Sequence, residues 1–121
     1  MNSVIDFVAA VPVLASLNIQ RSVNFFVSKL GFDAHYVSQG EYGIVSRGNV
    51  KIHFWACTDK RISEATGCRV NIRNIKSLYA QCSSQEIVHP NAPLKTTPWG
   101  STEFAILDPD GNLVTFFELA D

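Results

Sequence analysis

The sequence predicts an α+β fold built from one βαβββ unit used twice. Three observations predict it. Apolar residues alternate as in a strand, then recur at helical spacing, then alternate through three more short stretches, and that order restarts halfway along the chain. An Asn-Ile pair opens each helical stretch, at Asn18-Ile19 and Asn74-Ile75. The chain closes on a hairpin whose turn, Asp108-Pro109-Asp110-Gly111-Asn112, has the chemistry a turn demands. Asp108 bonds forward to its own backbone, Pro109 presets φ, and Gly111 accepts a positive φ. The 121 residues suit one domain over 1–121, with a first module at about 8–57 and a second at about 67–119.

Each element has its own signal. Residues 8–15 read as a strand, apolar on both faces and interrupted by Pro12. Asn18 is the expected N-cap of a helix carrying Ile19, Val23, Phe26, Val27 and Leu30, closed by Gly31. Three strands follow at 32–39, 41–47 and 50–57, separated by Gln39-Gly40 and Gly48-Asn49. The polar stretch 58–66 reads as a linker. A strand at 67–72 restarts the pattern, and Asn74 is expected to cap a helix with Ile75, Leu78, Tyr79 and Cys82 on its apolar stripe. A short Pro-bounded strand at 87–90, with 94–95, precedes the hairpin strands 102–107 and 113–119.

Alternation sorts the strand residues into two faces. Ile52 and Phe54 share one side, as do Cys68, Val70 and Ile72, and Val114 and Phe116; these suit packing beneath a helix. The opposite side holds Lys51, His53, Trp55, Arg69, Asn71, Glu103, Thr115 and Phe117. A solvated face seldom spends Trp and Phe, and a sealed core seldom spends Arg, His and Glu. A half-wet groove or a subunit interface accommodates both.

The bulk numbers exclude several classes. Net charge is −1 and the ten Lys and Arg are scattered, so no basic stripe recruits nucleic acid. No apolar run approaches the roughly 18 residues needed to cross a bilayer, and Asp6 interrupts the N-terminal apolar stretch. Cys57, Cys68 and Cys82 form no paired framework, which suits reduced thiols in a cytoplasmic protein.

Ala10-Val11-Pro12-Val13-Leu14, Arg21-Ser22-Val23-Asn24-Phe25-Phe26 leading to Leu30-Gly31-Phe32, and Pro98-Trp99-Gly100 through Asp108-Pro109-Asp110-Gly111-Asn112 span nearly the whole chain. With these pieces it resembles the bleomycin-resistance proteins of the vicinal-oxygen-chelate (glyoxalase/bleomycin resistance/dioxygenase) superfamily. The resemblance implies two tandem βαβββ modules, a homodimer with two binding clefts at its interface, and an N-terminal strand exchanged between subunits with Pro12 near the hinge. It also implies non-catalytic sequestration of a bleomycin-type glycopeptide, conferring antibiotic resistance, with no cofactor. Metal enzymes of the superfamily place His or Glu at four groove positions. Here those positions carry Val11, His53, Gly67 (with Cys68 the neighbouring candidate) and Thr115, and only His53 is a ready ligand, where catalytic sites typically use about three. A metal-dependent glyoxalase- or dioxygenase-like enzyme is the rival class, and a binder of another small planar ligand is the rival within binding.

The candidate ligand-binding residues are Tyr36, Tyr42, His53, Trp55, Arg69, Trp99, Glu103 and Phe117. Trp99, Trp55 and the two tyrosines offer stacking surfaces for a heteroaromatic ring. Glu103 suits a cationic ligand group or, equally, a salt bridge to Arg69 or another strand neighbour. His53 suits a structural hydrogen bond or a groove contact. Asp108 and Asp110 are read as turn residues.

Overall fold

The computed structural model describes residues 3–120. Their strands and helices run β1 (Val13–Ser16), α1 (Ile19–Leu30), β2 (Asp33–Ser38), β3 (Tyr42–Arg47), β4 (Val50–Ala56), α2 (Lys60–Glu64), β5 (Gly67–Asn71), α3 (Ile75–Ser84), β6 (Lys95–Thr96), β7 (Ser101–Leu107) and β8 (Leu113–Leu119). Two four-stranded sheets result, in the orders β1-β4-β3-β2 and β5-β8-β7-β6. In both, the strand before the helix pairs in parallel with the last strand of its unit, and the remaining pairs are antiparallel.

The first helix forms much as its sequence dictates. The Asn18 side chain accepts the Arg21 N–H, and Gly31 ends the helix at φ 69°, sending its N–H to the Phe26 carbonyl. Ile19, Val23, Phe26 and Leu30 are buried, and Phe26 meets Phe54 edge to face at 5.2 Å between ring centroids. Val27 is not part of the stripe; it is 40% exposed, because the buried face is narrower than the apolar residues suggest. One contiguous core joins the residues of and beneath α1 with Ile75 and Cys82 of α3 and Val70, Phe104, Ile106, Val114 and Phe116 of the second sheet.

Four expectations need correction. The first strand begins only at Val13, not at residue 8. His53 donates to the Pro12 carbonyl, but Pro12 has no N–H with which to continue the ladder, and residues 3–12 carry no regular structure. The stretch 58–66 contains a short helix, α2, whose Asp59 cap accepts the Arg61 N–H. Asn74 does not cap α3 with its side chain; it sits at φ 62°, and the Glu118 carboxylate of β8 accepts the N–H groups of Asn74 and Ile75 at 3.2 and 3.0 Å. A cap supplied from so far along the chain leaves no local sequence signal. The strand expected at 87–90 is a single bridge, Val88 to Ile106, since Pro90 and Pro93 remove the donors that would extend it.

Candidate functional site

The strand registers place the predicted residues in two sets. On the first sheet, Tyr36 is opposite Ile44 and Ile44 opposite His53, while Tyr42 is opposite Trp55. Directly paired residues share a face, so Tyr36, Tyr42, His53 and Trp55 all stand on the side turned away from α1. Tyr42 Oη and His53 Nδ1 are hydrogen-bonded at 2.8 Å with their rings edge to face. His53 is thus held by a neighbour on its own face. Tyr36 and Trp55 are open to solvent.

On the second sheet, Arg69 is opposite Thr115, and Asn71 and Glu103 both flank Phe117. Arg69 grips Glu103 with two donors: Nη2 to Oε2 at 2.7 Å and Nη1 to Oε1 at 3.3 Å. The guanidinium carbon stands 4.7 Å from the centroid of the Phe117 ring. Ser101 Oγ donates to Glu103 Oε2 at 2.7 Å, and Thr97 Oγ1 bonds Ser101 Oγ at 2.9 Å behind it. Arg69 first, then Ser101 and Trp99, hold the Glu103 carboxyl down at about 2. The same pairing raises the Arg69 pKa. Trp99, on the turn before β7, is 71% exposed. Of the two roles open to Glu103 in the sequence, the structure realises the salt bridge to Arg69. Among the described residues no hydrogen bond joins the first set to the second.

The four metal-equivalent positions do not fit a divalent ion. Val11 offers no ligand and Thr115 only a neutral hydroxyl, and with Tyr42 on His53 Nδ1 the one imidazole donor left among the four is His53 Nε2, too few for a site that typically uses about three. Gly67 packs so closely on β8 that an added Cβ would lie 2.1 Å from the Leu113 carbonyl oxygen, so the position admits no side chain at all. Cys68 pairs with Val114, on the helix-covered side, and burial first, then the Asp108 charge, raises its thiol to about 11. Burial likewise raises Cys82 to about 11. Neither thiol is a ready nucleophile. Among the described residues no three His, Cys, Asp or Glu side chains converge.

The Asp108–Asn112 turn has a role beyond the hairpin that local reasoning missed. Asp110 is fully buried and paired with Arg21; it also accepts from Ser22 Oγ and the Leu17 N–H, each at 3.2 Å. Ser63 Oγ donates to the Asp110 carbonyl. Asn112 Nδ2 donates to the Ala15 carbonyl and to Asp108, and its Oδ1 accepts from Thr66. Asp108 takes the N–H groups of Asp110 and Asn112, and its burial raises its pKa. The available signal was the coexistence of Arg21-Ser22 with Asp108–Asn112, two polar motifs in otherwise apolar surroundings.

Cavities accompany the sheets among the described residues. One of about 500 Å³, between Leu30, Phe32 and Val50 on one side and Val70, Leu78 and Phe116 on the other, includes none of the eight predicted residues. Another of about 420 Å³ lies along Glu64 to Arg69 with Leu113 and Thr115, and reaches the predicted set through Arg69.

A duplicated βαβββ chain with aromatic and charged outer sheet faces defines a fold class, the one shared by the glyoxalase/bleomycin resistance/dioxygenase proteins. One such protein from Nocardioides superposes with TM-score 0.70 over 98% of this chain and 87% of its own, at 16% identity. Within that class the chain is similar to bleomycin resistance proteins. Those of Geobacillus stearothermophilus and Staphylococcus aureus are 29% identical over 126 aligned positions, covering 90% of this chain and 95% of theirs. The bleomycin-binding protein of the bleomycin producer Streptomyces verticillus, solved with copper(II)-bleomycin, superposes with TM-score 0.84 at 25% identity, over 98% of this chain and all of its own. The resistance determinant encoded on transposon Tn5 gives TM-score 0.81 at 25% identity, over 95% of this chain and all of its own. No family model matches the chain.

Proposed function

We propose that this protein binds bleomycin-type glycopeptides and withholds them from their target, making and breaking no bond. The observation that carries the reading is the open aromatic and charged surface at the start of β7, where Trp99 stands 71% exposed beside the Arg69–Glu103–Phe117 cluster. An exposed indole beside a fixed polar floor is suited to stack a planar heteroaromatic group and orient what is attached to it. Tyr36, Tyr42, His53 and Trp55 supply a second surface of the same character. Homologues named for bleomycin resistance, and similar structures solved with bleomycin, support the same ligand class. The lack of fit at the metal-equivalent positions supports binding without catalysis.

The two surfaces serve one cleft in a homodimer, in which the first sheet of one subunit faces the second sheet of its partner. What supports the dimer is the N-terminal arm. Val4, Ile5, Phe7 and Val8 are 83% to 94% exposed, an apolar run that a lone chain leaves in water. Exchange of this arm about Pro12 would cover it. The cysteine pattern suits a cytoplasmic setting, and no helix among the described residues is long and apolar enough to cross a membrane.

Titration of the purified protein with metal-free and copper-bound bleomycin, followed by Trp fluorescence, tests the reading. Saturation at one drug per subunit is expected, with Trp99→Ala weakening binding by about tenfold, the loss of one good aromatic stack. No quenching at high micromolar drug would sink the proposal. Deleting residues 3–11 should convert dimer to monomer in sedimentation; an unchanged sedimentation coefficient would remove the arm from the interface.

A further inference from the structure

We propose that Arg69 sets the charge preference of the binding surface: it occupies Glu103 and turns this part of the groove away from cationic ligand groups, towards a planar ligand whose adjoining end is neutral or anionic. The inference rests on the binding role of this surface and names the ligand chemistry it selects.

The geometry gives the two partners unequal access. The Glu103 side chain is 9% exposed and that of Arg69 51% exposed. Both carboxylate oxygens are used, Oε1 by Arg69 and Oε2 by Arg69 and Ser101. A ligand arriving at this floor therefore meets the guanidinium, not the carboxylate. A cationic group gains from Glu103 only by breaking a two-point ion pair and lifting Arg69 from the Phe117 ring, which is a cost without a matching return. Lys95, opposite Glu103 across the β6–β7 pair and exposed, adds a second cation beside it. The guanidinium itself, backed by Phe117, is a flat surface on which a heteroaromatic ring or a carboxylate can settle.

The experiment compares two congeners that differ at the tail: bleomycin with its cationic tail amine, and bleomycinic acid, in which a carboxylate replaces it. Both are titrated calorimetrically against the wild type, Arg69→Gln, Arg69→Lys and the double variant Arg69→Gln/Glu103→Gln. The wild type should bind the acid at least as tightly as the cationic form. Arg69→Gln should move the ratio of affinities about tenfold towards the cationic form, as an unpaired carboxylate now faces the ligand. The double variant should cancel that gain, and Arg69→Lys should stay close to the wild type. A wild type that prefers the cationic congener by about tenfold, or a ratio indifferent to Arg69→Gln, overturns the proposal. Urea midpoints confirm that each variant is folded.

The same four proteins are titrated with a planar anionic dye, anilinonaphthalene sulfonate, and a planar cationic one, thioflavin T. If neither antibiotic binds but the dye preference shifts with Arg69→Gln, the antibiotic reading fails and the charge assignment stands. If the dye preference is also indifferent to Arg69, the charge assignment fails.

Discussion

The two ends of the β7–β8 hairpin carry the same kind of interaction put to different use. At one end Arg69 pairs with Glu103; at the other Arg21 pairs with Asp110. The arginines are equally exposed, 51% and 50%. What differs is the acceptor's surroundings. Glu103 has partners on its own sheet, Arg69 and Ser101, and on the turn that leads into β7, Trp99. Asp110 has no exposure and reaches across to the Leu17 N–H, Arg21 and Ser22, while Ser63 holds its carbonyl. An ion pair is worth little in itself when half of it is wet. The fixed polar neighbours decide whether removing it opens a joint or merely changes the character of a surface. The turn is a joint between the two sheets; the Glu103 end is an adjustable surface.

Breaking the joint should give the largest effect. Asp110→Ala takes the acceptor from the half-buried Leu17 N–H, leaves Ser22 Oγ with Ser16 Oγ as its remaining partner and frees Arg21, with an expected loss of about 3 kcal/mol of unfolding free energy. Glu103→Gln, which removes the other carboxylate charge, should cost about 1 kcal/mol or less, because Arg69 can turn to water. Urea denaturation of both variants measures the contrast directly. Equal losses would show that the two pairs do the same work and would collapse the distinction.

Asn112→Ala comes next. It removes donors to the Ala15 carbonyl and to Asp108, and the acceptor of the Thr66 hydroxyl. About 2 kcal/mol is expected, since some of these partners lie near the surface and find water. A midpoint within error of the wild type would mean that the joint rests on Asp110 alone.

This joint also explains what the sequence could and could not disclose. Arg21-Ser22 and Asp108–Asn112 are legible as motifs, and Asp108 with Gly111 is legible as a turn, because turn chemistry is local. That the two motifs are halves of one polar cluster is not local: 89 residues separate Arg21 from Asp110. The Glu118 cap of α3 escaped for the same reason, and Asn74 misled because its type matches an N-cap while its backbone is left-handed. The first helix was legible almost residue by residue, since Asn18, the apolar stripe and Gly31 all act within a few turns. On the outer sheet faces, alternation placed His53, Trp55, Arg69, Glu103 and Phe117 on the side turned away from the helices. It could not choose between Glu103 free for a ligand and Glu103 paired with Arg69, because the pairing depends on the strand order β5-β8-β7.

Acid separates the two ends by sign. Glu103 is held at about 2 against 4.5 for the ordinary group, so the unfolded chain takes up the proton first as pH falls. Its contribution to stability is complete above about 4.5 and is lost as pH falls towards 2. Asp108 behaves oppositely. Burial raises its pKa, so the folded chain takes up the proton more readily, and a penalty present at neutral pH is relieved on acidification. The difference in urea midpoint between wild type and Glu103→Gln should therefore be larger at pH 7 than at pH 3. A difference that does not change between these pH values would mean that Arg69 does not hold the carboxylate in solution.

The smallest effect belongs to the first sheet and tests whether its outer face is as adjustable as the Glu103 end. Tyr42→Phe removes the hydroxyl bonded to His53 Nδ1 and leaves the ring in place against the imidazole. Both groups are half-buried, so the loss should be about 1 kcal/mol or less, as for a single neutral hydrogen bond with water at hand. The informative readout is the imidazole. With Nδ1 released, His53 exchanges between tautomers, and its ring nitrogen shifts in NMR should move towards the averaged values of a free imidazole. Unmoved shifts would show that Tyr42 does not set the tautomer. A loss near that of Asp110→Ala would place this face with the joint, as part of the frame.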